Sequence, residues 1–170
     1  MILIGIGSNL EGHWGPPHDT VRRAVVALDE GPLRLLKASS AIVTAPYGRT
    51  DQPNFVNAVA EIETVLEPGA LLERLHAIEA SAGRRRTLHW GPRTLDLDLL
   101  DYHGLVVPGE AGEPGRALVL PHPGIPERAF VLEPIAEIAP HWRHPILGRT
   151  ARALLRRLRE RQQDGTNDEN

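Results

Sequence analysis

The chain has no cysteine, a single lysine, and only three tryptophans, two tyrosines and two phenylalanines in 170 residues. Without thiols there can be no disulfide, no cysteine nucleophile and no cysteine-bound zinc or iron–sulfur centre. Of 19 basic residues only Lys37 is lysine. A Walker-type phosphate loop needs Gly-Lys-Ser/Thr, and Lys37 stands in no such context. Any phosphate clamp must therefore use arginine, with planar, multidentate contacts. Aromatics at 4% are too few for the stacking platform of a single-strand RNA-binding module. A long apolar run is missing as well. Met1-Ile2-Leu3-Ile4-Gly5 is too short to span a membrane and has no basic leader, so the cytoplasm is the expected location and no membrane partner is expected. The net charge of −3 gives no general pull toward nucleic acid.

Hydrophobic residues make up 41% and charged residues 24%, the balance of a soluble globular protein. The length suits one domain, read as residues 1–163 with a solvated tail at 164–170; a monomer is expected. Residues 2–7 read as a buried strand, and the Gly/Pro-rich stretch from Leu10 to Asp19 as a loop. Val21, Ala24, Val25 and Leu28 recur at helical spacing between Thr20 and Glu30. A strand is expected from Leu33 to Thr44. Another runs from Phe55 to Val65, with Val56, Ala58, Ala60 and Ile62 on one face and Phe55, Asn57, Val59 and Glu61 on the other. Pro68 opens a helix that ends near Gly83. A strand then reaches Tyr102, and His103-Gly104 marks a turn after which Leu105 to Val107 could pair back. A short helix is expected at Phe130–Ala139 and a basic helix at Thr150–Gln163, with Leu154, Leu155 and Leu158 inward. The first 102 residues thus predict an α+β fold, a ferredoxin-like βαββαβ sandwich with helices on one face of an antiparallel sheet and C-terminal additions.

The most informative run is Gly91-Pro92-Arg93-Thr94-Leu95-Asp96-Leu97-Asp98-Leu99. Aspartate is a poor strand former, and residues two apart share a strand face. Asp96 and Asp98 would stand roughly 6–7 Å apart at the backbone. Two carboxylates leaving water side by side need a cation, and oxygen-only ligands favour magnesium. Arg84, Arg85, Arg86 and Arg93 bracket the preceding loop. Three consecutive arginines also suit a solvated turn, but opposite a carboxylate–metal pair they can close over a polyphosphate. Phe55 and Asn57 share a strand face and, with Phe130, suit a planar heterocycle; from the residues alone, a place in the core is the favoured reading for both phenylalanines. His122, between two prolines, and Arg128 could contact phosphate or simply lie at the surface. Gly5-x-Gly7 is not a dinucleotide loop, because Leu10 occupies the third glycine position. His141 and His144 lack further ligand partners.

The block Gly91-Pro92-Arg93-x-x-Asp96-Leu97-Asp98-Leu99-Leu100 closely resembles the 6-hydroxymethyl-7,8-dihydropterin pyrophosphokinases of the folate pathway. Three further segments agree in order: Gly7-Ser8-Asn9-Leu10, Asp51-Gln52-Pro53-x-Phe55-x-Asn57-Ala58, and Pro121-His122-Pro123 with Arg128 and Phe130. The resemblance covers about residues 2 to 140. It implies transfer of diphosphate from ATP to the pterin hydroxymethyl group, with release of AMP. It also implies two magnesium ions on Asp96 and Asp98, and assistance from Arg84 and Arg93. Pterin would sit among Thr44, Phe55, Asn57 and Phe130. The nucleotide would lie near His76, Glu79, Trp90, His122 and Arg128. Ala45 stands where proline is common in the family, Tyr47 where an aliphatic residue is usual, and Phe55 where tyrosine is frequent. The segment Arg84 to Trp90 is about one residue short. The alternatives from the residues alone are a magnesium-dependent phosphohydrolase or nuclease and, outside enzymes, an RNA-binding module.

Overall fold

A computed structural model of the chain describes residues 1–45, 53–83, 94–109 and 118–167. Strand β1 (Ile2–Ser8) lies between β4 (Phe55–Thr64) and β5 (Asp96–Tyr102), both antiparallel to it. On the far side of β4 lie β2 (Leu33–Ala38) and β3 (Ile42–Thr44). Helices α1 (Pro17–Ala27) and α2 (Pro68–Ser81) supply the crossovers. The sheet order β2-β4-β1-β5 is that of the expected βαββαβ sandwich.

Alternation along each strand decides the two faces. Ile2, Ile4 and Ile6 of β1, Val56 to Ile62 in steps of two on β4, and Leu97 and Leu99 of β5 meet Val21, Ala24 and Leu28 of α1 and Leu71, Leu75 and Ile78 of α2. The opposite face is covered in part by the C-terminal additions, α3 (Ala129–Ile138) and α4 (Ala151–Asn167). Leu3, Val59 and Leu100 pack there beneath Leu132, Ile135, Leu154 and Leu158. Burying each such side chain contributes roughly 1.5–3 kcal/mol. A register shift in the β1–β5 pairing brings Asp101 opposite Leu3. Asp101 is buried and accepts hydrogen bonds from Trp142 Nε1 (2.7 Å) and the Gly104 amide (3.0 Å), which ties the link between α3 and α4 to the sheet.

Local structure departs from the sequence reading in four places. Helix α1 begins at Pro17 rather than Thr20, because the fixed φ of proline suits a first helical turn and the Thr20 amide closes it on Pro16 O at 2.9 Å. The strand expected over Leu33–Thr44 breaks at Ser39. Its hydroxyl takes the Val59 amide (2.9 Å) in place of a backbone carbonyl, and Ser40 turns away to Glu137 on α3. The tight turn at His103-Gly104 forms, both residues having positive φ, but no hairpin back onto β5 follows. Val107 pairs instead with Leu120, and His122 donates to Leu100 O at the outer edge of β5. Finally, α4 continues through Asn167.

Candidate active site

Helices α3 and α4 leave one end of their sheet face open, and a cleft lies there, lined from β1, β4, β5 and the start of α3. Its floor is set by register. Across three strands one row reads Asn57–Gly7–Asp96 and the next Val59–Gly5–Asp98. Ile4 and Ile6 point into the helix-covered core, so Gly5 and Gly7 occupy the cleft face of β1 and bring no side chain of their own to it. A Cβ at Gly7 would stand 3.0 Å from Asn57 Oδ1, and one at Gly5 would stand 3.4 Å from Leu100.

One end of the cleft is flat and neutral. Phe55 and Phe130 are half-buried and line it, so they are not merely core. Asn57 is 6% exposed and donates from Nδ2 to Thr44 Oγ1 at 2.9 Å. That bond sets the orientation of the amide and leaves Oδ1 over Gly7. Pro134 within α3 removes the usual intrahelical donor to the Phe130 carbonyl.

The other end is acidic. Asp96 and Asp98 both line the cleft, and the Asp98 side chain is 34% exposed. Among the described residues no three acidic or histidine side chains gather into a protein-only metal cage. The pair nevertheless fits magnesium, which is commonly held by one or two carboxylates together with phosphate and water. Two hard oxygen donors on one face, paired with glycines that add no side chain of their own to that face, are such a donor set.

His122 faces this pair with Nε2 4.0 Å from Asp98 Oδ1. Its Nδ1 accepts the Gly124 amide at 3.0 Å, so the neutral ring carries its proton on Nε2. Burial, then repulsion from Arg128, lower the His122 pKa from 6.5 to about 4, against an upward pull from Asp96. The contact with Asp98 is therefore not an ion pair at neutral pH. Arg128 lines the cleft with its guanidinium 5.9 Å from the centre of the Phe130 ring. It precedes the first turn of α3, where its carbonyl takes the Val131 and Leu132 amides.

The structure therefore brings Thr44, Phe55, Asn57, Asp96, Asp98, Arg128 and Phe130 together, with His122 beside them. Glu79 and His76, on α2, are not among the residues lining the cleft. Glu79 is 2% exposed and accepts the Leu97 amide at 3.0 Å. Arg84, Arg85, Arg86, Trp90, Arg93 and Tyr47 lie outside the described residues.

Sequence reasoning passed over Gly5 and Gly7 as a failed dinucleotide loop. The signal was the strict alternation of isoleucine and glycine in Ile4-Gly5-Ile6-Gly7, which bares one face of a strand. Ser8 and Asn9 act just beyond. Ser8 Oγ donates to Thr94 O (2.6 Å) and Asn9 Nδ2 to Pro53 O (3.2 Å), so the end of β1 holds the chain on both sides of the cleft.

Residues 3–140 match the family described as 7,8-dihydro-6-hydroxymethylpterin-pyrophosphokinase (HPPK). The 2-amino-4-hydroxy-6-hydroxymethyldihydropteridine pyrophosphokinase of Methylorubrum extorquens is 43% identical over 156 residues, 91% of each chain. That of Pseudomonas aeruginosa is 41% identical over 145 residues, 85% of this chain and 83% of the relative. The wild-type Plasmodium falciparum HPPK-DHPS structure with SDX-DHP superposes with a TM-score of 0.72 at 14% identity. It covers 98% of this chain, which spans only 45% of that one, and it supports the fold alone. None of these matches supports the phosphohydrolase or nuclease alternative. With its strand order, its cleft and these matches in agreement, the chain belongs to the 7,8-dihydro-6-hydroxymethylpterin-pyrophosphokinase family.

Proposed function

We propose that this chain is the folate-pathway pyrophosphokinase that transfers diphosphate from ATP to the hydroxymethyl group of 6-hydroxymethyl-7,8-dihydropterin, giving AMP and the pterin diphosphate. Within the molecule, the observation that carries this reading is one cleft with an aromatic, amide-bearing end and a two-carboxylate end, divided by side-chain-free strand. The Asn57 and Asp96 backbones, one on each side of Gly7, are about 10 Å apart at ordinary strand spacing. A bicyclic ring held at Asn57 can then extend its hydroxymethyl arm over Gly7 toward a triphosphate at Asp96.

Phe55 and Phe130 give the ring apolar faces, and Asn57, oriented by Thr44, reads its polar edge. Asp96 and Asp98 would hold two magnesium ions, which when bound neutralise and orient the triphosphate. His122 presents a neutral N–H donor beside the acidic end, and Arg128 adds fixed positive charge. Arg84 and Arg93 are assigned to stabilising charge on the transferring group. Trp90 and His76 are assigned, by family resemblance, to the nucleotide side. In the reaction the pterin hydroxyl oxygen bonds to the β-phosphorus, the bond from that phosphorus to the α,β-bridging oxygen breaks, and AMP leaves. The hydroxyl proton passes to solvent; no general base is assigned. Catalysis on this scheme is positioning and electrostatics.

The same proposal makes residues 1–163 one catalytic domain that acts as a cytoplasmic monomer without nucleic-acid or membrane partners. No helix among the described residues is long and apolar enough to cross a membrane. The test is to mix the protein with magnesium, ATP and the pterin and measure AMP. Pterin-dependent AMP is expected, and Asp98→Ala should reduce turnover by orders of magnitude while the fold persists. Pterin-independent release of inorganic phosphate would replace this reading with a hydrolase. Near-normal turnover by Asp98→Ala would remove the metal assignment.

A further inference from the structure

Among the described residues strand β5 ends the sheet, and β1 is the strand that supports it through a ladder. Along the outer edge of β5, among the described residues, His122 N donates to Leu100 O, and the Leu97 amide donates to Glu79 Oε2 at 3.0 Å. Because the Leu97 N–H points away from β1, ladder alternation turns the backbone groups of Asp96 and Asp98 toward β1. Their partners there are Gly7 and Gly5, which have no side chains to steady the strand above the sheet. Glu79 stands among Leu71, Leu75 and Ile78 of α2, whose side chains lie in the core, and is itself 2% exposed. A carboxylate in such a place is retained at a desolvation cost. Its bond reaches the backbone of the one residue that separates the two cleft carboxylates.

We propose that Glu79 is a positioning residue for diphosphate transfer, acting through the Leu97 amide to hold Asp96 and Asp98 at one height and on one face. This rests on the function proposed above. Family resemblance puts Glu79 near the nucleotide; the geometry gives it a different task, that of bracing the carboxylate strand from behind.

The test compares Glu79→Gln, which keeps an acceptor for Leu97 without the charge, with Glu79→Met, which keeps the length and loses the acceptor. Amide hydrogen exchange of the full chain reads the contact directly. Leu97 should be protected in the parent protein and in Glu79→Gln, and should exchange at least about tenfold faster in Glu79→Met. Manganese titration in the presence of a non-hydrolysable ATP analogue, followed by electron paramagnetic resonance, reads the consequence. Glu79→Met should weaken manganese binding roughly 10–100-fold, as loss of a supporting group commonly does, while Glu79→Gln stays within about threefold. Unchanged manganese affinity in Glu79→Met would overturn the proposal. So would equal damage from both variants, because charge rather than the acceptor would then be what matters. Weaker binding of the metal-free nucleotide, with Leu97 still protected, would make Glu79 a nucleotide ligand instead. Should Glu79→Met fold too poorly to assay, Glu79→Asp decides: one methylene short of Leu97, it should show the same faster exchange and weaker manganese binding, and parent-like behaviour would overturn the idea. A parent protein that makes no AMP from pterin would sink the proposed function while leaving both of these readouts interpretable.

Discussion

Gly7→Ala is the sharpest probe of the cleft. The added methyl would stand 3.0 Å from Asn57 Oδ1, so the amide has to give by a few tenths of an ångström. It cannot give freely, because Nδ2 is held by Thr44 Oγ1 at 2.9 Å. Either that bond lengthens or the acceptor leaves its place over the floor. Losing one well-made hydrogen bond to a ligand costs about 1–1.5 kcal/mol, and 1.4 kcal/mol is tenfold in affinity. The KM for the pterin should therefore rise about tenfold. The KM for ATP should change little, since the methyl does not point at the nucleotide's charged partners. Stability should also change little, because removing a glycine from a strand reduces unfolded-chain entropy by about 0.4–1 kcal/mol and offsets the crowding. The assay is steady-state AMP formation with each substrate varied in turn, beside a thermal melt. Thr44→Ala frees the amide to swing, so the Gly7→Ala/Thr44→Ala double variant should show less than the sum of the single effects. An unchanged pterin KM in Gly7→Ala, or strict additivity in the cycle, would refute the view that Gly7 acts by leaving room for the Asn57 amide.

Two further outcomes concern stability. Trp142→Phe removes the 2.7 Å donor to Asp101, a buried carboxylate, and should cost about 1.5–3 kcal/mol. For a chain of this size that lowers Tm by roughly 3–12 °C; a shift under about 1 °C would show that the bond is not structural. Acid should weaken the fold through His122, whose pKa is lowered to about 4 in the folded protein. Between pH 6.5 and about 4 the unfolded chain binds a proton that the folded chain does not, so this contribution is fully present above pH 6.5 and is lost as pH falls toward 4. The loss amounts to at most about 3 kcal/mol. The buried His144 is shifted the same way, by burial. His122→Asn can still accept the Gly124 amide, and urea melts at several pH values in metal-free buffer should show a shallower acid slope for it; an identical slope would show that the ring does not titrate out of step with folding.

Much of the site was legible in advance because strand alternation is a local rule. Asp96 and Asp98 had to share a face, as did Phe55 and Asn57, and the structure puts both pairs in one cleft. The order of helices and strands was likewise readable from periodicity, while the break at Ser39 was not: a serine hydroxyl standing in for a backbone carbonyl looks like any other strand serine until its partner, Val59, is known. Phe130 was ambiguous between core and pocket, since either use looks the same in a chain with two phenylalanines.

By itself, the amino-acid order determined that two acidic side chains occupy an apolar strand behind an arginine-rich stretch, and in what company of motifs; neighbour-to-neighbour stereochemistry is enough for that. Only the tertiary structure decided that Gly5 and Gly7 separate the amide from the carboxylates, that α3 and α4 stop short of covering them, and that Glu79 reaches Leu97 across 18 residues of chain. Those relations depend on register between strands and on the docking of helices, which are set by how whole faces pack rather than by any one segment's preference.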